Sequence, residues 1–261
     1  MEQVLETIVA KSRKELAESR KRIPASLLES RIPEVPPVRD FAAALRRPGR
    51  RIIAELKAAS PSKGAIRPEL DREVERLAAG LEAAGAAALS VLTERNFFLG
   101  SGMNLRRARG SVDIPLLRKD FIYDEYQILE ARVWGADAIL LIAAMLTPEE
   151  FRKLRAFAAS LGLAVLCEAH TADELDMLLD GGAEIVGINA RNLSTFDTSL
   201  ALAGELIRQI PAGKIAVAES AIRSADDLNA MEQVGAKAFL IGETLMRAER
   251  PGEKLCELLS K

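Results

Sequence analysis

Residues 52–64, with the sequence IIAELKAASPSKG, place a carboxylate and an ammonium two positions apart at the end of an apolar run. Side chains two apart on a β-strand point to the same side of it, so Glu55 and Lys57 are expected to form an ion pair. Burial and a neighbouring charge shift the pKa of such a lysine, which tunes it for proton transfer. The next residues, 60–64, offer hydroxyl and backbone N–H donors that suit an anion such as phosphate.

Polar side chains also follow six further apolar runs of the chain. In chain order they are Thr93 and Glu94; Lys119 and Asp120; Glu168; Asn189, Arg191 and Asn192; Glu219 and Ser220; and Gly242, Glu243 and Thr244. Lysines and carboxylates are groups that general acid–base catalysis uses. They could act together only if the fold brings the ends of all these runs to one place.

The punctuation of the chain indicates a fold that does this. Gly85, Gly135, Gly182 and Gly235 each end a helical pattern and are each followed by an alanine and an apolar run. Glycine is the usual residue just beyond a helix, because it adopts positive φ at little cost. The order of elements is therefore helix, glycine and buried strand, repeated along the chain.

The apolar runs predict eight strands, at residues 52–57, 87–92, 115–119, 138–142, 163–168, 185–189, 215–219 and 238–242. Each run is continuously apolar, as in parallel strands that are buried on both faces. Eight strand–helix units indicate an α/β fold of the (β/α)8 TIM-barrel class, in which catalytic groups lie at the carboxyl ends of the strands. A doubly wound open sheet is the alternative, but it usually has fewer strands, and no Gly-x-Gly-x-x-Gly turn follows the first strand.

Residues 1–48 precede the first predicted strand. They contain an amphipathic helical pattern and a proline-rich connection, RIPEVPPVRD, and are predicted to form an N-terminal helical extension packed on the barrel. Residues 49–261 are predicted to form the catalytic barrel, so that the chain is a single domain overall. Within the barrel, helices beginning at Thr147, Thr171 and Ser224 follow the Ser/Thr-x-x-acid pattern of a capping box.

Composition argues against several classes of protein. The 261 residues carry a formal net charge of −2 with the two signs interspersed, so no nucleic-acid partner is expected. No apolar run is long enough for a membrane span, and the N-terminus lacks the apolar core of a signal peptide. Two distant cysteines, Cys167 and Cys256, fit a cytoplasmic location, and nothing marks an obligate interface, so a monomer is expected. His170, the single histidine, is interpreted as structural, and a histidine-built metal site is not expected.

Eight blocks of the sequence together resemble the indole-3-glycerol phosphate synthase family, and the resemblance covers essentially the whole chain. The blocks are IAELKAASPSKG, LSVLTERNFFLGS, PLLRKDFI, ILLIAAML, VLCEAHTADEL, GINARNLSTF, VAESAI and AFLIGETLM. One such block would be a weak signal, but eight in the family's order and spacing are highly specific.

The resemblance implies the conversion of 1-(2-carboxyphenylamino)-1-deoxyribulose 5-phosphate to indole-3-glycerol phosphate, with loss of carbon dioxide and water, in tryptophan biosynthesis. It implies neither a metal nor an organic cofactor. The catalytic residues that it implies are Lys119, Glu168, Lys57, Glu55, Asn189 and Ser220. The substrate-binding residues that it implies are Ser60, Pro61, Phe98, Phe121, Leu140, Arg191, Leu193, Glu219, Ala221, Gly242 and Glu243.

The resemblance also implies a division of roles. Lys119 would be the general acid that protonates the ketose carbonyl oxygen as the ring carbon attacks. Glu168 and Lys57 would assist condensation and dehydration as a base and an acid on opposite faces, with Glu55 tuning Lys57. Asn189 and Ser220 would hold sugar hydroxyls, and Arg191 and Glu219 would organise the polar rim. Ser60, Gly242 and the backbone near residue 221 would bind the phosphate. The residues that would pack against the anthranilate ring are Pro61, Phe98, Phe121, Leu140 and Leu193.

The chain departs from the family pattern in the loop after the seventh predicted strand. The family usually has Glu-Ser-Gly-Ile there, whereas this chain has Ala221 in place of the glycine. Alanine retains the N–H donor, but a positive φ at this position would cost on the order of 1 kcal/mol.

Two other functions remain open on the residues alone. A lysine Schiff-base aldolase on a similar barrel would also use a Glu-x-Lys strand end, although the aromatic residues near the rim argue against it. A non-catalytic phosphosugar-binding protein would need the phosphate-binding groups but not the full set of ionisable side chains. Under each hypothesis the expected partner is a small phosphorylated molecule.

Overall fold

The computed structural model describes residues 2–191 and 197–260, and within them it shows a closed barrel of eight parallel strands. The strands are β1 (Arg51–Leu56), β2 (Ala88–Leu92), β3 (Leu116–Lys119), β4 (Ala138–Ile142), β5 (Ala164–Ala169), β6 (Ile185–Asn189), β7 (Ile215–Glu219) and β8 (Ala238–Ile241). Each strand pairs with the next in sequence, and β8 pairs with β1 to close the ring. The predicted (β/α)8 fold is confirmed, and no predicted strand end differs by more than one residue from the observed one.

Helices precede the barrel and alternate with its strands. The helices ahead of the barrel are α1 (Glu2–Arg22), α2 (Ala25–Arg31) and α3 (Phe41–Arg46). The later helices are α4 (Leu70–Ala83), α5 (Gly102–Arg109), α6 (Glu125–Trp134), α7 (Pro148–Ser160), α8 (Ala172–Asp180), α9 (Leu200–Ile207), α10 (Ala225–Gln233), α11 (Glu243–Arg247) and α12 (Pro251–Leu259). A short hairpin follows β1, in which the two-residue strands Ala59–Ser60 and Gly64–Ala65 pair antiparallel. None of the described helices is both long enough and apolar enough to span a bilayer.

The predicted glycine punctuation accounts for how the helices end. Gly85, Gly135, Gly182 and Gly235 have φ values of 96°, 89°, 80° and 111°. Each therefore occupies the left-handed region, which glycine enters more readily than any other residue. A chain that must turn from each helix into a buried strand uses the same residue every time.

Two of the three predicted capping boxes are complete, at Thr147 and at Ser224. At the third, Thr171 accepts the N–H of Glu174 as predicted. The Glu174 carboxylate, however, accepts the N–H of His170 instead of that of Thr171. The prediction of a full capping box is wrong here, because the carboxylate reaches one residue further back along the chain.

Alternate residues on each strand point into the barrel, where they stack in layers. Ile53, Leu117, Leu166 and Val217 belong to one buried cluster. Two positions further along the same strands, and on the same side, come Glu55, Lys119, Glu168 and Glu219. The ionisable side chains therefore form the top layer of a column that is apolar below them.

Helix α3 closes the end of the barrel at which the strands begin, where Phe41 joins the inner cluster. Asp137, fully buried just before β4, accepts from the Arg109 side chain at 2.7 and 2.8 Å. It also accepts from the N–H groups of Arg39, at 2.7 Å, and Leu116, at 2.8 Å. This one carboxylate joins the connection ahead of α3 to α5 and to β3.

Helix α1 lies at the opposite end, against the loops that follow β2 and β3. The Ser12 hydroxyl is 3.1 Å from that of Tyr123, and Glu15 accepts from the Asn96 side chain at 2.9 Å. Ile8 is 3% exposed and joins the cluster inside the barrel. The N-terminal helices therefore contact both ends of the barrel.

Candidate active site

A cavity of about 320 Å³ opens at the carboxyl ends of the strands, where barrels of this class bind their ligands. The predicted site residues that line it are Glu55, Lys57, Ser60, Pro61, Phe98, Lys119, Phe121, Leu140, Glu168, Asn189, Arg191, Glu219, Ser220, Ala221, Gly242 and Glu243. Leu193, and Asn192 beside it, lie outside the described residues. Side chains that are scattered through the sequence therefore converge at one mouth, as the barrel hypothesis requires.

Lys119 stands at the centre of the ionisable groups. Its Nζ lies 3.0 Å from Glu168 Oε2 and 3.3 Å from Glu219 Oε2, so that side chains from β3, β5 and β7 meet. The second oxygen of Glu168, Oε1, accepts from Asn189 Nδ2 at 3.3 Å. Two buried carboxyl groups share one ammonium, so a single positive charge cannot fully neutralise both.

Burial and close charges move the pKa values of this cluster in different directions. Burial disfavours the charged form of Lys119, but the surrounding carboxylates, Glu168 first, outweigh it and raise the pKa. Burial also opposes ionisation of Glu168, but Lys119 outweighs it and lowers the pKa to about 2. At Glu219 burial dominates, and Glu168 adds to it against the attraction of Lys119, raising the pKa to about 8. At neutral pH the cluster therefore holds an ammonium, an ionised Glu168 and a protonated Glu219.

Glu55 and Lys57 form the predicted ion pair at the end of β1. Lys57 Nζ is 2.7 Å from Glu55 Oε1, and the Ser90 hydroxyl donates to Glu55 Oε2 at 3.3 Å. Gly242 faces this carboxylate so closely that a β-carbon in its place would lie 2.4 Å from Glu55 Oε1. The glycine is therefore required at the end of β8 by the position of Glu55.

Lys57 and Glu168 stand on opposite sides of the mouth. They extend from β1 and β5, which are opposite strands of the eight-stranded ring. Their direct contacts are with other residues, because Lys57 pairs with Glu55 while Lys119 pairs with Glu168. A ligand in the cavity would therefore lie between Lys57 and Glu168.

Gly187 on β6 makes room for Glu219 and was not among the predicted site residues. A β-carbon at this position would lie 2.0 Å from Glu219 Oε1. Glu219 is 1% exposed, and within the described residues neither of its oxygens has a hydrogen bond of good geometry, although Lys119 is 3.3 Å away. The run VGIN predicts a buried strand, but it gives no signal of what the glycine must face.

The loops after β7 and β8 form the part of the cavity predicted to bind phosphate. Ser220 and Ala221 have φ values of 67° and 60°, so two consecutive residues with β-carbons adopt the left-handed conformation. Helix α11 begins directly after Gly242, and the first N–H groups of a helix have no partner inside it. Thr244 Oγ1 donates to the carbonyl of Ile222 at 2.6 Å and joins the two loops. This hydrogen bond holds together the two loops that line this end of the cavity.

Charged residues surround this end of the cavity. Glu243 lies between Arg191, at 3.5 Å, and Arg247, at 3.1 Å. The backbone N–H of Arg191 donates to Asn189 Oδ1 at 3.0 Å. Because its oxygen is occupied in this way, Asn189 presents its amide nitrogen to Glu168. Arg247 lines the cavity and was not predicted.

Apolar side chains provide the remaining wall. The rings of Phe98 and Phe121 are 6.0 Å apart with their planes at 46°, and Leu140 lines the cavity with them. Leu5 and Ile8 of α1 line it as well and were not predicted. The amphipathic pattern of α1 indicates that one face is buried, but it does not identify the surface that this face covers.

Fold and site together define a (β/α)8-barrel enzyme whose mouth combines lysine–carboxylate pairs, an anion-binding end and an aromatic wall. In the described part of the chain, no group of three or more His, Cys, Asp or Glu side chains is arranged to hold a metal ion. The profile of the family described as indole-3-glycerol phosphate synthase matches residues 5–258. The chain belongs to the indole-3-glycerol phosphate synthase family.

Relatives of that name match the chain from end to end. The protein of Dechloromonas aromatica is 44% identical over 100% of both chains. That of Chromobacterium violaceum is 45% identical over 99% of this chain and 98% of its own. At this level of identity and coverage the resemblance read from the eight sequence blocks is confirmed.

Solved structures support the fold independently. A mutant tryptophan synthase alpha-subunit from Pyrococcus furiosus matches with a TM-score of 0.61 at 16% identity, over 80% of this chain and 97% of its own. A 3-hexulose-6-phosphate synthase matches with a TM-score of 0.63 at 12% identity, also over 80% and 97%. Such distant likenesses bear on the fold alone.

Proposed function

We propose that this site carries out the ring closure of its family, converting 1-(2-carboxyphenylamino)-1-deoxyribulose 5-phosphate to indole-3-glycerol phosphate with loss of carbon dioxide and water. The chain is accordingly a decarboxylating lyase of tryptophan biosynthesis. The observation that carries the proposal is the position of Lys119, whose ammonium lies between two buried carboxyl groups at the floor of the cavity.

Lys119 acts as the general acid on the ketose carbonyl oxygen. Negative charge develops on this oxygen as the ring carbon attacks, so a fixed ammonium stabilises the transition state more than the substrate. The raised pKa of Lys119 keeps it protonated before the substrate binds. A ligand that draws the ammonium away from its carboxylates lowers that pKa again and makes Lys119 a stronger acid.

Glu168 and Lys57 act in the dehydration step, in which a proton and a hydroxyl group leave. Glu168 is ionised in the resting site, and it becomes a stronger base once Lys119 has given up its proton. Lys57, paired with Glu55, donates a proton to the departing hydroxyl. Their positions on opposite strands suit an acid and a base on opposite faces of one substrate.

The two ends of the substrate differ in chemistry, and so do the two ends of the cavity. The phosphate binds to the backbone donors of the loops after β7 and β8 together with Ser60, and Asn189 and Ser220 hold sugar hydroxyls. The anthranilate ring packs against Pro61, Phe98, Phe121 and Leu140, and Leu193 is proposed to belong to the same wall. Arg191 and Glu219 organise the polar rim between them.

The aldolase alternative is less well supported. A Schiff base forms from a neutral amine, whereas the carboxylates around Lys119 raise its pKa and Lys57 is engaged in an ion pair with Glu55. Treatment with a keto-sugar phosphate and borohydride, followed by mass spectrometry, is expected to give no lysine adduct. A stable adduct on Lys57 or Lys119 would favour the aldolase instead.

We also propose that the protein acts as a cytoplasmic monomer without nucleic-acid or membrane partners. The dispersed charges and the net charge of −2 support this, as does Cys167, a free and buried thiol whose pKa burial raises to about 12. Light scattering after gel filtration is expected to give a mass near 28.3 kDa. A mass of twice that value at micromolar concentration would contradict the monomer.

The test of the proposed function is to mix the purified protein with the carboxyphenylamino-deoxyribulose phosphate and to follow indole absorbance and fluorescence. Lys119→Met is expected to lower kcat by about 10²- to 10⁴-fold, with an unchanged circular dichroism spectrum. Lys153→Met is the control, since this side chain is 70% exposed and its ion pair is with Glu125 at the surface. The absence of an indole signal from the unaltered protein would overturn the proposed function, and near-normal turnover by Lys119→Met would show that the acid is elsewhere.

A further inference from the structure

His170 lies immediately beyond β5, two residues after Glu168. Side chains two apart on an extended chain point to the same side, so the imidazole is directed toward the same carboxylate layer as Glu168. The side chain is 10% exposed, and it does not line the cavity. His170 is therefore in a position to affect Glu168 without touching a bound ligand.

The imidazole stands between two carboxylates. Its Nε2 is 3.4 Å from Glu168 Oε1, and its Nδ1 is 3.3 Å from Glu174 Oε2. The same Glu174 oxygen accepts the backbone N–H of His170 at 2.7 Å. The first turn of α8 therefore fixes the backbone of His170 and faces one edge of its ring, leaving the other edge directed at Glu168.

Both ring nitrogens are buried, yet neither makes a hydrogen bond of good geometry with a described residue. Buried polar atoms without such partners are rare, and leaving one unpaired is unfavourable. Carboxylate oxygens can only accept, so either nitrogen can bond to its neighbour only by donating an N–H. With its ring proton on Nε2, His170 is therefore a spare donor beside Glu168 Oε1.

Glu168 needs a spare donor only when it loses one. In the resting site its Oε2 is neutralised by Lys119 at 3.0 Å. Once the Lys119 ammonium turns to the ketose oxygen, Glu168 would be left with two neutral donors, Asn189 at 3.3 Å and the protonated carboxyl group of Glu219. A buried carboxylate without a strong partner shifts position or takes up a proton.

We propose that His170 is a positioning residue. When Lys119 moves to the substrate, His170 donates a hydrogen bond from Nε2 to Glu168. Glu174 holds the backbone of His170 in place, and His170 keeps the carboxylate ionised and oriented for the later proton transfer. This inference rests on the catalytic role proposed above for Glu168. It assigns no contact with the substrate to His170.

A pair of conservative variants separates the two edges of the ring. His170→Gln places an amide donor near the position of Nε2, whereas His170→Asn places one near Nδ1 and does not reach Glu168. We expect His170→Asn to lower kcat by about 10- to 100-fold with KM within about twofold, and His170→Gln to retain most of kcat. Asp173→Asn, which removes an exposed charge from the same turn of α8, is the control and is expected to behave like the unaltered protein.

Several outcomes would overturn the proposal. Unchanged kcat in His170→Asn would do so, as would an equal loss of kcat in the Gln and Asn variants at unchanged melting temperature. An effect confined to KM would also count against it. Turnover by Glu168→Gln at the normal rate would instead refute the role of Glu168. The absence of an indole signal from the unaltered protein would refute the proposed function. Failure of the His170 proposal can therefore be told apart from failure of either of these.

A spectroscopic test applies even if the variants fold poorly. Because the chain has one histidine, its ring gives a single set of ¹⁵N and ¹H resonances in the unaltered protein. Saturation with a substrate analogue whose ketose carbonyl is reduced to an alcohol, which keeps an oxygen for Lys119 but cannot close the ring, is expected to shift the Nε2 resonance and to slow exchange of its proton. A ring spectrum that is identical with and without this analogue would overturn the proposal.

Discussion

Glu219 is the residue whose protonation changes the charge of the site close to neutral pH. With Glu219 protonated, the two ammonium groups of Lys57 and Lys119 balance the carboxylates of Glu55 and Glu168. Once Glu219 ionises, this cluster of lysines and carboxylates gains one negative charge, which weakens its attraction for a substrate bearing a carboxylate and a phosphate. A pKa raised to about 8 keeps the group neutral at physiological pH, so burial of this carboxyl group favours binding of an anion.

The same burial predicts a pH-dependent cost in stability. The folded-state pKa of Glu219 lies above its ordinary value of 4.5, so between these values the folded protein holds a proton that the unfolded chain has lost. The free energy of unfolding therefore falls as pH rises through this window and changes no further above it. Glu219→Gln lacks this titration, so we expect its melting temperature to exceed that of the unaltered protein by more at pH 8.5 than at pH 5. A difference independent of pH, measured by thermal melts, would contradict this.

Ala221 is the second residue for which the structure predicts a measurable effect. Ala221 replaces the glycine of the family pattern, and its φ of 60° lies in the left-handed region that glycine enters more readily. Ala221→Gly is expected to raise the free energy of unfolding by about 1 kcal/mol, or roughly 2–4 °C in melting temperature. Ala172→Gly, the same change in the first turn of α8, is expected to have the opposite sign. A loss of stability in Ala221→Gly would show that the left-handed backbone is not strained.

The sequence predicts the ionisable residues of the site better than the residues that support them. Lys119 and Glu168 stand out because they interrupt apolar runs at strand ends. Gly187 and Ser90 do not, because the requirement for them comes from a neighbouring strand, and the contact depends on the register of the sheet. His170 was interpreted as structural, and only the folded arrangement shows that it faces Glu168.

At the scale of elements, local signals predict where helices begin and end but not where they dock. The capping residues and the glycines fix the boundaries, since both act within one turn. The placement of α1 depends instead on contacts with Tyr123 and Asn96, which are about a hundred residues away in sequence. No local pattern in α1 could have revealed that it covers the mouth.

The docking of α1 predicts a separate effect on binding. Ile8 joins the inner cluster and lines the cavity, but as an apolar side chain it takes no part in the ion pairs of Lys119 with Glu168 and Glu219. Ile8→Ala removes apolar contact with the substrate and is expected to raise KM about 10-fold while kcat changes little. Lys14→Ala, on an exposed position of the same helix, is the control. An unchanged KM in steady-state assays would show that α1 does not contribute to the binding surface.

For the whole molecule, the repeat of helix, glycine and apolar strand is enough to predict the barrel, because eight such units have few other ways to bury every strand on both faces. The contact that ties the N-terminal connection to the barrel is harder to predict from the sequence. Asp137 is a single aspartate before an apolar run, and the sequence analysis gave it no role. One of its hydrogen bonds joins it to Arg39, 98 positions away in sequence. A periodic pattern of apolar residues cannot reveal such a distant contact.

Asp137 predicts a loss of stability that leaves the chemistry intact. Asp137→Ala would leave the partly buried guanidinium of Arg109 and the N–H groups of Arg39 and Leu116 without their acceptor. Removing one partner of a buried pair costs about 3–5 kcal/mol, which corresponds to roughly 6–20 °C in melting temperature for a domain of this size. Because Asp137 lies at the end of the barrel opposite to the cavity, kcat and KM of the molecules that remain folded are expected to be unchanged.

Glu149→Ala, which breaks an exposed pair with Arg152, is the control and should cost less than about 1 kcal/mol. Equal melting temperatures for the two variants would show that the carboxylate does not tie the N-terminal connection to the barrel.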